Sequence, residues 1–230
     1  MIELLQFAPM LGVMNASPFC MKVEVFLRLA GLEYRCVDAL PVRMPKAKLP
    51  VLRDDGRTIC DSETIVAHLQ AAHGSRMPAA MAAPGTATQL LVRRTFEEHL
   101  YFAALRYRWV EEEGARHTVG FFASIPVPVR GLVFGFVRRK MARDLQGQGL
   151  GRHDLETIAA KAAADLDAIA ATLGEAPFFG GAEPAAIDAC AYAFLANLVF
   201  VPIETPMKRH AMANASLRAY CERMRARVGA

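Results

Sequence analysis

Asn15-Ala16-Ser17-Pro18-Phe19-Cys20 joins a short apolar run to an amphipathic segment, and its reading decides the fold. Ser17 suits an N-cap, because its oxygen can satisfy an orphan amide, and Pro18 suits the first helical position, where a missing amide is no loss. Phe19, Val23, Phe26, Leu27 and Ala30 then recur at helical spacing on one face, while Lys22, Glu24 and Arg28 fall elsewhere and Gly31 supplies the stop. The start of such a helix carries free N–H groups and a partial positive charge, an environment that favours a thiolate. A Ser-Pro pair at a helix start is in most proteins only a cap, so the neighbouring segments decide.

Upstream, Leu4 to Ala8 reads as a short strand; downstream, Tyr34 to Ala39 reads as a second, at the spacing of a βαβ unit. A proline-punctuated loop with Pro41 and Pro45 leads to Leu49-Pro50-Val51-Leu52-Arg53, an Asp54-Asp55-Gly56 turn and Arg57-Thr58-Ile59-Cys60, which is a hairpin. Base rates alone favour a trans bond before Pro50. Asp61-Ser62 then caps a helix carrying Ile65, Val66 and Leu69. The order βαβ followed by ββα, within residues 1–75, is the thioredoxin-like pattern. Residues 76–88, with Pro78, Pro84 and Gly85, read as an interdomain linker.

From 89 to 230 the period is helical. Apolar stripes run through Phe96, Leu100, Ala103, Tyr107 and Val110; through Leu155, Ile158, Ala162, Leu166, Ile169 and Leu173; through Ile187, Cys190, Ala191, Phe194 and Leu198; and through Leu217, Tyr220, Cys221, Met224 and Val228. An all-α second domain is expected. Its least legible part is 114–151, where Pro126, Pro128 and several glycines interrupt an apolar tract.

Composition narrows the function classes. The 230 residues are 53% hydrophobic, enough for a sizeable core, and 27 basic against 23 acidic residues give a formal charge of +4, too mild to argue for nucleic acid. Five scattered cysteines without a C-x-x-C pair read as reduced thiols. An acid stands where a secretory n-region would be basic, and the longest apolar tract falls short of a membrane span, so a cytoplasmic chain without a transmembrane segment is expected. No histidine pair has a recognised ligand spacing, Glu97-Glu98-His99 point in different directions on a helix, and no glycine-rich loop follows a strand. Neither a metal nor a nucleotide is expected.

Ser17-Pro18-Phe19-Cys20 resembles the glutaredoxin Cys-Pro-Phe/Tyr-Cys motif with serine replacing the first cysteine. Lys48-Leu49-Pro50 resembles the segment at that fold's cis-proline, and Asp61-Ser62 resembles the acid-serine pair with which glutathione transferases hold the γ-glutamyl group. The second domain narrows the likeness. Glu97-Glu98-His99-Leu100-Tyr101, Arg108-Trp109, Gly151-Arg152-His153, Pro177-Phe178-Phe179-Gly180-Gly181 and Leu217 to Met224 resemble the metaxin-like, failed-axon-connections branch of the glutathione S-transferase superfamily. Two departures stand out: Ala185 occupies the Ser/Thr capping position three residues before Asp188, and Gln6-Phe7-Ala8 lacks the strand-one tyrosine of several classes.

The resemblance implies glutathione as co-substrate and a small hydrophobic electrophile as second substrate, with no metal, and it allows a homodimer. Ser17 would donate to the glutathione sulfur, with Cys20 as the alternative active group. Leu49 beside a cis Pro50 would pair with the cysteinyl unit, Ser62 would take the γ-glutamyl carboxylate, Asp61 the ammonium, and Lys48 the glycine carboxylate. Tyr101, Tyr107 and Trp109, with the tract from Phe121 to Phe136, would lie near the second substrate. A non-catalytic, metaxin-like binding or scaffolding protein that keeps the fold is the competing expectation.

Overall fold

The computed structural model describes residues 1–229. Strands β1 (Ile2–Gln6), β2 (Tyr34–Asp38), β3 (Val51–Asp54) and β4 (Arg57–Cys60) form one sheet in the order β2-β1-β3-β4. β1 pairs in parallel with β2 and antiparallel with β3, and β3 pairs antiparallel with β4. Helix α1 (Pro18–Ala30) makes the crossover between β1 and β2, and α2 (Ser62–His73) follows β4. The two helices pack together. This is a thioredoxin-like α/β domain, followed by an all-helical domain.

Each end of α1 obeys its local chemistry. Ser17 is extended and its Oγ accepts from the Cys20 amide, Pro18 opens the helix, and Gly31 closes it in the left-handed region at φ 66°. The peptide bond between Leu49 and Pro50 is cis, against the base-rate expectation and in line with the resemblance. Within 76–88 the chain is not featureless: Ala79–Ala82 forms a helical turn, α3, and Thr86 caps the next helix.

That helix, α4 (Ala87–Arg94), runs on through a wide π-helical turn at Thr95–Leu100, a regular stretch α5 (Tyr101–Leu105) and a second π-helical turn at Arg106–Val110. Helices α6 (Glu112–Thr118), α7 (Val127–Gln148), α8 (Leu155–Leu173), α9 (Ala186–Val199), α10 (Pro206–Ala213) and α11 (Ala215–Val228) complete the domain. The prolines that seemed to break the 114–151 tract instead open α7. Pro126 precedes it and Pro128 lies in its first turn, where no amide is needed.

Helix α9 is the axis of the molecule. Every residue from Ile187 to Val199 is buried, and the helix packs along α1, so one continuous core spans both domains. Asp188, wholly buried, accepts from the amides of Phe179, Gly180 and Ala185 and from the Tyr220 hydroxyl. Half of a capping box therefore survives at Ala185: the carboxylate reaches back, and alanine supplies no reciprocal acceptor. Burial raises the Asp188 carboxyl and those amide donors oppose it.

Candidate functional site

Sheet register brings three loops to one end of the first domain. Leu5 of β1 stands opposite Val51 of β3, and Val51 stands opposite Cys60 of β4. The residues just beyond these positions are the loop to Ser17, the cis Leu49-Pro50 bond and Asp61-Ser62. Three segments far apart in sequence thus share an edge, because β1 and β4 both finish where β3 begins.

The Ser17 loop is held from below. Buried Asn15 donates from Nδ2 to the Phe7 carbonyl at 2.6 Å and accepts from the Ser17 amide at 3.0 Å. Ser17 is half-buried, and its Oγ takes the Cys20 amide at 3.4 Å. A capping hydroxyl accepts with a lone pair and keeps its hydrogen, so Ser17 retains the capacity to donate. Cys20 is different: it is 0% exposed, and burial pushes its thiol up to about 12, outweighing the Ser17 and Phe7 contacts that lower it. Its thiol stays protonated at neutral pH.

The second helix start is more strained. Asp61 has φ 82° and ψ 129°, a conformation that costs a side-chain-bearing residue of order 1–3 kcal/mol. Its Oδ1 accepts from the amides of Glu63 and Thr64, both at 3.1 Å, and from the Thr64 hydroxyl. Asp61 itself is exposed, whereas Ser62 is buried. Lys48 is exposed, Leu49 half-buried and Pro50 buried.

Several residues that tie the site together have no signature in sequence. Lys22, only 2% exposed, reaches from α1 to Glu97 at 2.6 Å and to the Ser62 Oγ at 3.4 Å. A buried ion pair between the domains therefore touches one of the expected glutathione ligands. Arg108 donates to the carbonyls of Ala16 and Asn197 and to Asn197 Oδ1, and Asn197 donates to the Asn15 carbonyl. Burial lowers the Arg108 guanidinium to about 10, so it keeps its charge at neutral pH one residue from Ser17. Glu97 and Arg108 each lie in a π-helical turn, where the wider winding rotates side chains away from a 3.6-residue register.

The aromatic residues part company. Tyr101 packs edge-on against Phe19 at 4.9 Å between ring centres, two residues past Ser17. Tyr107 is buried and donates to the Leu155 carbonyl at the start of α8. Trp109 joins Phe121, Phe122 and Phe134 in a separate aromatic cluster, pinned by Arg138, which donates to the carbonyls of Trp109 and Val110. His99 pairs with Asp165.

Residues 18–114 match the model of the glutathione S-transferase N-terminal domain and residues 162–224 that of the C-terminal domain. Over 98% of this chain and 98% of its own, the isoprene-epoxide glutathione S-transferase of Rhodococcus sp. (strain AD45) is 30% identical. The chain belongs to the glutathione S-transferase family. Homology places it among transferases of that family. It also matches Failed axon connections of Drosophila melanogaster at 27% identity over 87% of this chain, spanning half the length of that relative. Rice glutathione S-transferase 1, solved with glutathione, shares the fold with a TM-score of 0.63 at 18% identity, over 97% of this chain and 86% of that one. Among the described residues no helix is long and apolar enough to cross a membrane.

Proposed function

We propose that this glutathione S-transferase binds glutathione along the edge shared by Ser17, cis Pro50 and Ser62, lowers the pKa of its thiol through Ser17, and directs the thiolate at a small electrophile. The observation that carries the reading is the Ser17 cap: a half-buried hydroxyl that accepts the Cys20 amide and has a hydrogen of its own to give, at the amide-rich start of α1. A hydrogen bond to a charged acceptor contributes about 1.5–3 kcal/mol, which lowers a thiol pKa by roughly one to two units. The helix dipole adds about 0.3–1 kcal/mol in the same direction.

In this reading the Leu49 backbone, beside cis Pro50, pairs with the cysteinyl unit. Ser62 and the first amides of α2 hold the γ-glutamyl carboxylate, Asp61 meets its ammonium, and Lys48 approaches the glycine carboxylate. Lys22 and Glu97 hold Ser62 in position. Tyr101, edge-on to Phe19, borders the second substrate; the locations of Tyr107 and Trp109 support structural roles for both. Ser17 is favoured over Cys20 because the Cys20 thiol is buried and protonated. The relative's name points to an epoxide as the first electrophile to try. The five free cysteines support a reducing, cytoplasmic setting. Exposed Leu90 and Leu91 on α4 support a homodimer, which sedimentation equilibrium tests.

Initial rates with glutathione and a small alkyl epoxide test the reaction. Ser17→Ala should lower turnover about ten- to a hundredfold with a smaller change in glutathione affinity, and Cys20→Ala should remain active. Equal turnover in parent and Ser17→Ala overturns the assignment. One observation favours a second reading, a non-catalytic binding protein: Val129, Leu132 and Phe136 stand exposed on α7 beside Arg139 and Lys140. Absence of glutathione binding would select it.

A further inference from the structure

Beside α2, beyond the residues of the proposed glutathione site, three ligand-type side chains converge, two from the helix and one from β3. Asp54 closes β3 and is 6% exposed, its position set by the tight turn through Asp55 and Gly56, both at positive φ. His68 Nε2 lies 2.9 Å and His73 Nε2 2.7 Å from the same oxygen, Asp54 Oδ2. The three atoms lie within 4.8 Å of one another. Both imidazoles are partly open to solvent.

The geometry points to a site for a divalent first-row transition ion, with zinc as the physiological candidate, bound by Asp54 Oδ2, His68 Nε2 and His73 Nε2. A tetrahedral ion with metal–ligand bonds of about 2.0–2.2 Å separates its ligand atoms by about 3.4 Å. The two imidazole–carboxylate separations need to open by about 0.5 and about 0.7 Å to reach that value. Two imidazoles and one carboxylate suit zinc, nickel or copper far better than calcium or magnesium. Water from the open side completes the coordination. Each Nε2 then offers its lone pair to the ion and carries its hydrogen on Nδ1, so two hydrogen bonds to Asp54 are exchanged for two nitrogen–metal bonds.

Sequence spacing hides this set. Two histidines five residues apart lie about 140° apart around a helix, unlike the i, i+4 pair of a familiar metal helix. They converge because the β3 terminus lies across the helix surface between them and His73 is its last residue. The ion would fasten the β3–β4 hairpin to α2, whose other end carries Asp61 and Ser62. Its role is structural, a staple behind the glutathione face.

The test uses the untagged full chain, stripped with chelator and desalted. Titration with zinc should show one equivalent bound and a melting temperature raised by several degrees. Cobalt should give visible d–d absorption without a thiolate charge-transfer band. The variants are His68→Gln and His73→Gln, singly and together, because glutamine can still donate to Asp54 yet is a poor ligand for these ions. Each single variant should weaken zinc at least tenfold, and the double variant should lose the equivalent and the cobalt spectrum while keeping the parent's near-ultraviolet circular dichroism. No stoichiometric binding to the parent, unchanged binding in the double variant, or a thiolate band would each overturn the site.

Discussion

Replacing Glu97 with alanine removes one member of an ion pair that is nearly sealed from water, with Lys22 and Glu97 2% and 6% exposed and 2.6 Å apart. The lysine would then be a charge without a partner in the core between the domains, beside the Cys190 thiol that also reaches Glu97. Breaking a buried pair in this way costs about 3–5 kcal/mol, a large share of the 5–15 kcal/mol that holds most proteins together. For a chain of this length the melting temperature should fall by roughly 6–20 °C. The double variant Lys22→Met/Glu97→Leu leaves no charge to desolvate, so it should recover most of the loss. Urea unfolding of the parent, Lys22→Met, Glu97→Leu and the double variant measures the coupling directly. Lys22 also touches Ser62, so glutathione affinity should fall in Lys22→Met even after stability is accounted for. A loss under about 1 kcal/mol in Glu97→Ala, or strict additivity in the double variant, would mean that the pair does not hold the domains together.

At Asp61 the usual order of substitutions should invert: glycine accepts φ 82° without strain, so Asp61→Gly should be more stable than Asp61→Ala by about 1 kcal/mol or more, while both weaken glutathione at least tenfold by calorimetry. Asp188→Ala strands the amides of Phe179, Gly180 and Ala185 and the Tyr220 hydroxyl, and should cost about 3 kcal/mol or more in denaturant unfolding. The chain should also be alkali-labile. Burial raises the Cys20 and Cys221 thiols to about 12, and that of Cys190 further, so these groups stay protonated when folded but ionise from about pH 8.5 when unfolded. Their stabilising contribution is complete below that pH and is lost as pH climbs toward 12, at about 1.4 kcal/mol per pH unit for each thiol. Cys221→Ala should remove one such share from the slope of stability between about pH 9 and pH 10.5.

What could be read without coordinates was whatever local chemistry determines. Ser17, Pro18 and Gly31 delimit α1, Asp55-Gly56 makes the hairpin, and the stripe through Ile187 and Phe194 marks the buried α9. Ser17 and Asp61 were legible as caps, and caps they are. The cis bond was legible only through the likeness to other chains, because proline alone carries a trans preference. Three kinds of feature were hidden. Glu97 and Arg108 face the first domain from π-helical turns, which no 3.6-residue period anticipates. Lys22 falls off the apolar face of α1 in the sequence, yet it meets Glu97 and is buried. His68, His73 and Asp54 meet only after the sheet and helix have docked, so their spacing along the chain is uninformative. The α7 tract misled for the opposite reason: prolines that break a helix interior are welcome in its first turn.

The most direct test of the central claim is the ionisation of glutathione on the protein, followed by ultraviolet thiolate absorbance as pH is varied, in the parent and in Ser17→Ala. The bound thiol should titrate about one to two units below the free value of about 8.5 in the parent and return toward that value in the variant, with affinity changed only a few-fold. A bound thiol that titrates like the free one, or an equal shift in both proteins, would contradict that claim.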